Sequence, residues 1–164
     1  MTEVLLLIVI GLVFCFGFVV LFGAPYVPTL TKQVDTALDL LGPSHKRTLL
    51  ELGCGDGKVL IAAAARGYEV IGYELNPILA CIAWLRTRRY GRHVKVICGN
   101  FWHQKWPKAD CVFVFLLDRY MVKLDMTITA QPQRPIQLVS FAFQVPGKDA
   151  DIVRDGVYLY VYGK

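Results

Sequence analysis

The sequence predicts an α/β protein, a mostly parallel sheet with helices on both faces, preceded by one N-terminal transmembrane helix. Three observations carry this. Strand-like and helix-like segments alternate from about residue 44 onward, the order that builds a parallel sheet with crossover helices. A glycine-rich turn, Glu51-Leu52-Gly53-Cys54-Gly55-Asp56-Gly57, stands between the first strand and the first crossover helix. Residues 4–22 form an unbroken run of 19 residues with no charged or strongly polar side chain.

A helix over that run spans roughly 28 Å at 1.5 Å per residue, close to the hydrocarbon thickness of a bilayer. A signal peptide is the competing reading, but its apolar core is shorter and follows a basic start; this chain starts Met-Thr-Glu. All 18 Lys and Arg follow the run, so the positive-inside tendency puts the rest of the chain in the cytoplasm, or on the matrix side of a mitochondrial membrane. The net charge of +5 suits a domain held beside an anionic leaflet.

Pro25 and Pro28 make 23–28 a stiff connector, and Thr29 or Thr31 is placed to cap a helix. Val34, Ala37, Leu38 and Leu41 recur at helical spacing until Gly42-Pro43 stops it. The organisation is therefore a membrane helix at 4–22, a connector and helix at 23–43, and one domain at 44–164. Within that domain the pattern predicts a strand at 48–53, an Ala-rich helix at 58–66 and a strand at 69–75. A helix from Pro77, at the favoured first position, extends to about 90. Strands follow at 94–98 and 111–117, the second apolar enough to be buried on both faces. A helix at 119–129 and strands at 137–143 and 157–162 complete the list.

Ligands of such sheets bind at the carboxyl ends of the strands, where strand order switches. Three candidates fall there. The glycine turn comes first. Alternating glycines let the backbone turn sharply and approach a ligand without a Cβ in the way. A dinucleotide loop needs its third glycine at 58, which is Lys58. An ordinary strand-to-helix turn is the plainer alternative. Glu74 ends the second strand, in Gly72-Tyr73-Glu74-Leu75-Asn76-Pro77, where a carboxylate accepts hydrogen bonds from ribose hydroxyls. A solvated strand-end acid is its alternative. Asn100-Phe101-Trp102 follows the third strand and offers an amide to an adenine edge and a ring to its face, or simply a turn beside core aromatics.

Asp118-Arg119-Tyr120, just past the buried strand, is a further candidate at a strand's carboxyl end, with Asp118 as a helix cap the alternative. The five cysteines, at 15, 54, 81, 98 and 111, show no paired spacing, and His45, His93 and His103 stand apart. Neither a disulfide framework nor a metal site is expected; buried free thiols are, with Cys98 and Cys111 in apolar strands.

The acid followed by glycines at 53, 55 and 57 resembles the first motif of class I S-adenosylmethionine-dependent methyltransferases. Together with the apolar N-terminal run, Pro25-Tyr26-Val27-Pro28-Thr29 and Gly72-Tyr73-Glu74-Leu75-Asn76-Pro77, the chain is similar over about 3–145 to one family. These are the membrane-anchored lysine methyltransferases of the adenine nucleotide translocase and the ATP synthase c-subunit, with their prokaryotic relatives. The resemblance implies a Rossmann-like seven-stranded fold, S-adenosyl-L-methionine as cofactor and lysine side chains of a protein in or near the same membrane as acceptors. It carries Glu51, Gly53, Gly55 and Gly57 over as the cofactor loop, beside Cys54, and Glu74 as the ribose ligand, beside Leu75; Asn100 and Phe101 are placed at the adenine. Asp118, Tyr120 and Tyr26 are candidates to orient the amine. Two departures stand out: the family loop usually opens with Asp where this chain has Glu51, and a proline usually follows the fourth strand where this chain has Asp118. The absence of an Asn/Asp-Pro-Pro-Tyr tetrapeptide weighs against nucleic-acid bases as acceptors. A lipid or small-molecule acceptor, or a non-catalytic nucleotide-binding membrane module, are the alternatives.

Overall fold

A computed structural model of the chain describes residues 1–22, 29–132 and 135–163; in the first helix the side chains at 8, 12, 14–16 and 18–22 are outside the description. Helix α1 spans Thr2–Phe22. Among the described residues, no helix is long and apolar enough to cross a membrane, so the span expected at 4–22 rests on the sequence alone. The connector at 23–28, Tyr26 included, lies outside the described residues.

The domain is built from α2 (Thr31–Leu41), β1 (Thr48–Leu52), α3 (Lys58–Ala65), β2 (Glu69–Glu74), α4 (Pro77–Thr87), β3 (Val94–Cys98), β4 (Cys111–Val114), α5 (Met121–Thr129), β5 (Ile136–Phe141), β6 (Ile152–Arg154) and β7 (Val157–Tyr162). The seven strands form one sheet in the order β3-β2-β1-β4-β5-β7-β6. The first five are parallel; at one side β7 pairs antiparallel with β5, and β6 pairs antiparallel with β7. Strand order reverses between β1 and β4, so the crevice opens above their carboxyl ends.

Period-2 alternation sorts the core onto two faces. Leu49, Cys111, Phe113, Val139 and Leu159 face α2, α3 and α4. Leu50, Leu52, Val112, Val114, Leu138 and Tyr160 face Met121, Leu124 and Ile128 of α5. All four residues of β4 are buried, as a strand covered on both faces requires.

Several expected boundaries move, each for a local reason. β4 ends at Val114, not 117, because its partners end there: Val114 lies beside Leu52, where β1 turns into the glycine loop, and beside Ser140. The helix from Pro77 stops at Thr87. A 3-10 segment, Arg88–His93, follows and contains Gly91 at φ 55, ψ −128, outside helical space. The helix expected at 119–129 begins as a 3-10 turn, Asp118–Tyr120, before α5. Neither Thr29 nor Thr31 caps α2; Leu30 takes the N-cap position without a side-chain bond. Cys98, expected buried, is exposed because β3 is an edge strand, whereas Cys54 and Cys111 are buried. Burial pushes the Cys111 thiol up to about 12. The antiparallel strand β6 was not expected. It pairs with β7 around Asp155-Gly156, both at positive φ, as a two-residue hairpin turn demands.

Candidate cofactor and acceptor site

The glycine loop owes its shape to positive φ at Gly53 (92°), Gly55 (52°) and Gly57 (82°). Any L-residue there would be strained. At Gly57 a Cβ would also stand 3.1 Å from the Cβ of Ala83 in α4, so this glycine lets α3 and α4 approach. The loop is anchored at its start, where the N–H groups of Gly53 and Cys54 both donate to the Tyr73 carbonyl, at 2.9 and 2.8 Å. Arg86 of α4 clamps its far side, donating to the Asp56 carbonyl at 3.0 Å and pairing with the Asp56 carboxylate.

Glu74 is buried and oriented by backbone. Its Oε2 accepts from Gly55 N–H at 2.8 Å and its Oε1 from Asn76 N–H at 2.8 Å. An ionised carboxylate has about four acceptor sites, so each oxygen keeps one for a ligand. Asn76, given no role of its own within the motif that contains it, then caps α4 by accepting from the N–H groups of Ile78 (2.9 Å) and Leu79 (3.4 Å). The Asn-Pro dipeptide was its readable signal. Gly72 is a second omission: a Cβ on it would lie 2.9 Å from Cys54 Sγ and Leu60 Cδ1. It seats the glycine loop against β2, and an isolated strand glycine signals such close approach.

Glu51 points to the α3 side of β1 and is 4 % exposed. Burial raises its pKa well above the usual carboxylate value, with the negative charges of Glu74 and Asp56 adding to the effect; a hydrogen bond with the Leu60 backbone acts the other way. Its Oε2 is buried with no hydrogen-bond partner. Among the described residues neither Glu51 nor Glu74 takes part in an ion pair. Two buried acids without a cation make a site that favours a positively charged ligand. Burial, then the charges of Glu51 and Glu74, raises the Cys54 thiol well above its ordinary value, so Cys54 contributes backbone and volume rather than a thiolate.

The loop after β3 is held by Asn100, whose Oδ1 accepts from Trp102 N–H at 2.9 Å. Phe101 and Trp102 pack at 4.6 Å, and Trp102 lies 6.1 Å from Tyr120 of the loop after β4. Two of the sequence candidates, Phe101 and Tyr120, thus join one aromatic rim through Trp102. The Lys123 ammonium lies over the Trp102 ring at 4.5 Å, so this rim already holds an ammonium group. Asp118 is exposed, and the 3-10 turn it starts shows no side-chain cap bond, which leaves its carboxylate uncommitted to capping. Leu75 is half-buried beside Glu74. A cavity of about 570 Å³ lined by Arg47, Thr48, Lys108, Asp110 and Gln137 opens at the amino ends of the strands, away from all of these residues. Among the described residues no cluster of His, Cys, Asp or Glu is arranged to hold a metal.

The ANTKMT methyltransferase domain model matches residues 51–152. The chain is 29% identical over 124 residues to the ATP synthase C-subunit lysine N-methyltransferase of Homo sapiens, covering 74% of this chain and 53% of that protein. It is 31% identical over 153 residues to a protein-lysine N-methyltransferase of Saccharolobus islandicus, covering 85% and 94%. It spans about half the length of the vertebrate relatives it matches. An RNA methyltransferase of Salinibacter ruber, solved with S-adenosyl-L-homocysteine, superposes with a TM-score of 0.76 at 27% identity, covering 82% of this chain and 93% of that one. The domain has the Rossmann-like methyltransferase fold.

Proposed function

We propose that this chain, which belongs to the ANTKMT methyltransferase family, transfers methyl groups from S-adenosylmethionine to lysine side chains of a protein in or beside a membrane. The observation that carries this reading is the pair of buried carboxylates, Glu51 and Glu74, beside a three-glycine loop and without a cation of their own. S-adenosylmethionine is a cation and supplies an activated methyl group, so the protein has mainly to align and desolvate.

Each residue then has a task. The backbone of Gly53, Cys54, Gly55 and Gly57 cradles the cofactor, and Glu51 complements its positive charge. Glu74, already fixed by two backbone donors, accepts from the ribose, with Leu75 beside it. Asn100 keeps its amide NH₂ for the adenine edge, and Phe101 offers its ring. On the acceptor side, Trp102 and Tyr120 present aromatic faces to an incoming ammonium. A lysine must lose a proton before it has a lone pair to react, and Asp118 or Tyr120 orients the resulting neutral amine toward the methyl group. Tyr26 remains a candidate on sequence grounds.

The membrane half of the reading is supported by the apolar run at 4–22, by the exposure of Val4, Leu5, Leu6, Leu7 and Val13 on α1, and by the absence of Lys and Arg before residue 32. It describes a single-pass protein with its domain on the cytoplasmic or matrix side. Confinement to one bilayer raises the effective concentration of an acceptor in that bilayer. The test is to incubate the purified chain and methyl-labelled cofactor with membranes. Label in lysines of a membrane protein is the expected result. Label in lipid would reassign the acceptor, and cofactor binding without any transfer would point to a non-catalytic module.

A further inference from the structure

Residues 75–109 carry Arg86, Arg88, Arg89, Arg92, Lys95, Lys105 and Lys108 and not one Asp or Glu. Four of these cations fall within seven residues, at the last turn of α4 and the 3-10 segment after it. Among the described residues only Arg86 of the four forms an ion pair. The Arg88 guanidinium lies over Trp84 at 5.1 Å and that of Arg89 over Tyr90 at 4.9 Å.

The surface beside them is apolar. The inner stripe of α4, Leu79, Ala80, Ala83 and Thr87, is buried against the sheet, as an amphipathic helix requires. Its outward stripe is expected to be polar, but Cys81, Trp84, Leu85 and Arg88 follow one another at helical spacing. Trp84 is 52% exposed, Leu85 51% and Ile82 38%. No element of the described chain covers them.

We propose that this face of α4 and the Arg88–His93 segment docks on an anionic phospholipid surface. Charge complementarity selects the occupant: guanidinium groups match phosphate oxygens in pairs. Tryptophan favours the headgroup level, and exposed leucine and isoleucine can enter the acyl boundary. RNA offers phosphates too, but its bases stack on rings and give aliphatic side chains little to meet. The layer is also the right one, because α2, which follows the apolar N-terminal segment, packs on α3, and α3 packs on α4 on the same side of the sheet. This inference does not depend on which group accepts the methyl.

The full chain is reconstituted in nanodiscs of phosphatidylcholine alone and of a mixture containing about one-third phosphatidylglycerol. Amide hydrogen exchange at 81–92 is read in both, with Trp84 emission assigned by W84F. The expected result is slower exchange and blue-shifted emission only in anionic discs, reversed by salt. Each arginine near such a surface contributes about five-fold, so R88Q/R89Q/R92Q weakens docking on the order of 100-fold and removes the protection. Those positions are exposed, and an unchanged cofactor-induced thermal shift confirms that the variant is folded. Equal exchange in the two bilayers overturns the proposal. So does protection that an RNA oligonucleotide confers and anionic lipid does not.

Discussion

Replacing Glu74 by alanine tests the cofactor half of the site most directly. Two distinct losses follow. The first is structural: the N–H groups of Gly55 and Asn76 lose a charged acceptor held at 2.8 Å by each. Hydrogen bonds to a charged group contribute about 1.5–3 kcal/mol each, and water entering the truncated site recovers part of that. The fold should therefore lose about 2–4 kcal/mol. For a domain of this size 1 kcal/mol moves Tm by roughly 2–4 °C. The second loss is the ligand's: two ribose hydroxyls lose their acceptor. A conservative total of about 3 kcal/mol corresponds to roughly 150-fold weaker binding. Isothermal calorimetry with S-adenosylhomocysteine separates the two, because affinity is measured below the lowered Tm. Glu74→Gln sharpens the result. It keeps the size of the side chain but turns one acceptor into a donor facing an N–H, so it should bind no better than alanine. A lowered Tm with unchanged affinity would refute the ribose assignment and leave Glu74 a purely structural acid.

Other predictions use the same geometry. Glu51 has a raised pKa in the fold, so its contribution to stability is favourable below its ordinary value near 4.5 and is lost as pH rises from there toward the raised value. Glu51→Gln should therefore stabilise the cofactor-free protein increasingly over that window in pH-resolved thermal melts, yet weaken cofactor binding. Wild-type cofactor affinity should rise with pH over the same window, because a bound cation favours the carboxylate. Gly72→Ala forces a methyl to 2.9 Å from both Cβ and Sγ of Cys54 and should cost about 1–3 kcal/mol by overpacking; Cys54→Gly in the same chain, which removes both contacts, should restore part of it, as a double-mutant cycle would show. Asp118→Ala should lower the rate of methyl transfer by about 10²-fold, the scale of a misplaced reacting group, without changing cofactor affinity in calorimetry.

Much of the proposed donor half is legible because it is local in sequence. The acid, the three glycines and Glu74 sit at strand ends that alternation alone locates, and the comparison of Gly57 with Lys58 separates two loop types. The proposed acceptor half is less legible because its residues meet through contacts distant in sequence. Trp102 reaches Tyr120 only when the loops after β3 and β4 fold over the same edge, across two intervening strands. Period and propensity carry no information about that meeting. Strand β6 was missed for a different reason. Its three residues are all exposed, so it has no buried face to produce alternation. Its signal was the Asp155-Gly156 turn, a chemical cue rather than a periodic one. The helix expected from Pro77 to about 90 runs too long because helical turns continue past Thr87 as a 3-10 segment, a change of hydrogen-bond pattern that residue spacing does not reveal.

Asp155 in that turn accepts from Lys32 Nζ at 2.8 Å and Thr36 Oγ1 at 3.2 Å, and α2 packs against β5 and β7. The segment that follows the apolar N-terminal helix therefore packs on α3 close behind it but finds its sheet partners only at 136–162, about a hundred residues later. On a ribosome emitting about 5–20 residues per second, those partners emerge several seconds after α2 does. The apolar segment must commit to its environment while the domain behind it is still open. On the proposed membrane reading, insertion comes first and closure of the sheet second, so the order of synthesis places the tether before the catalyst.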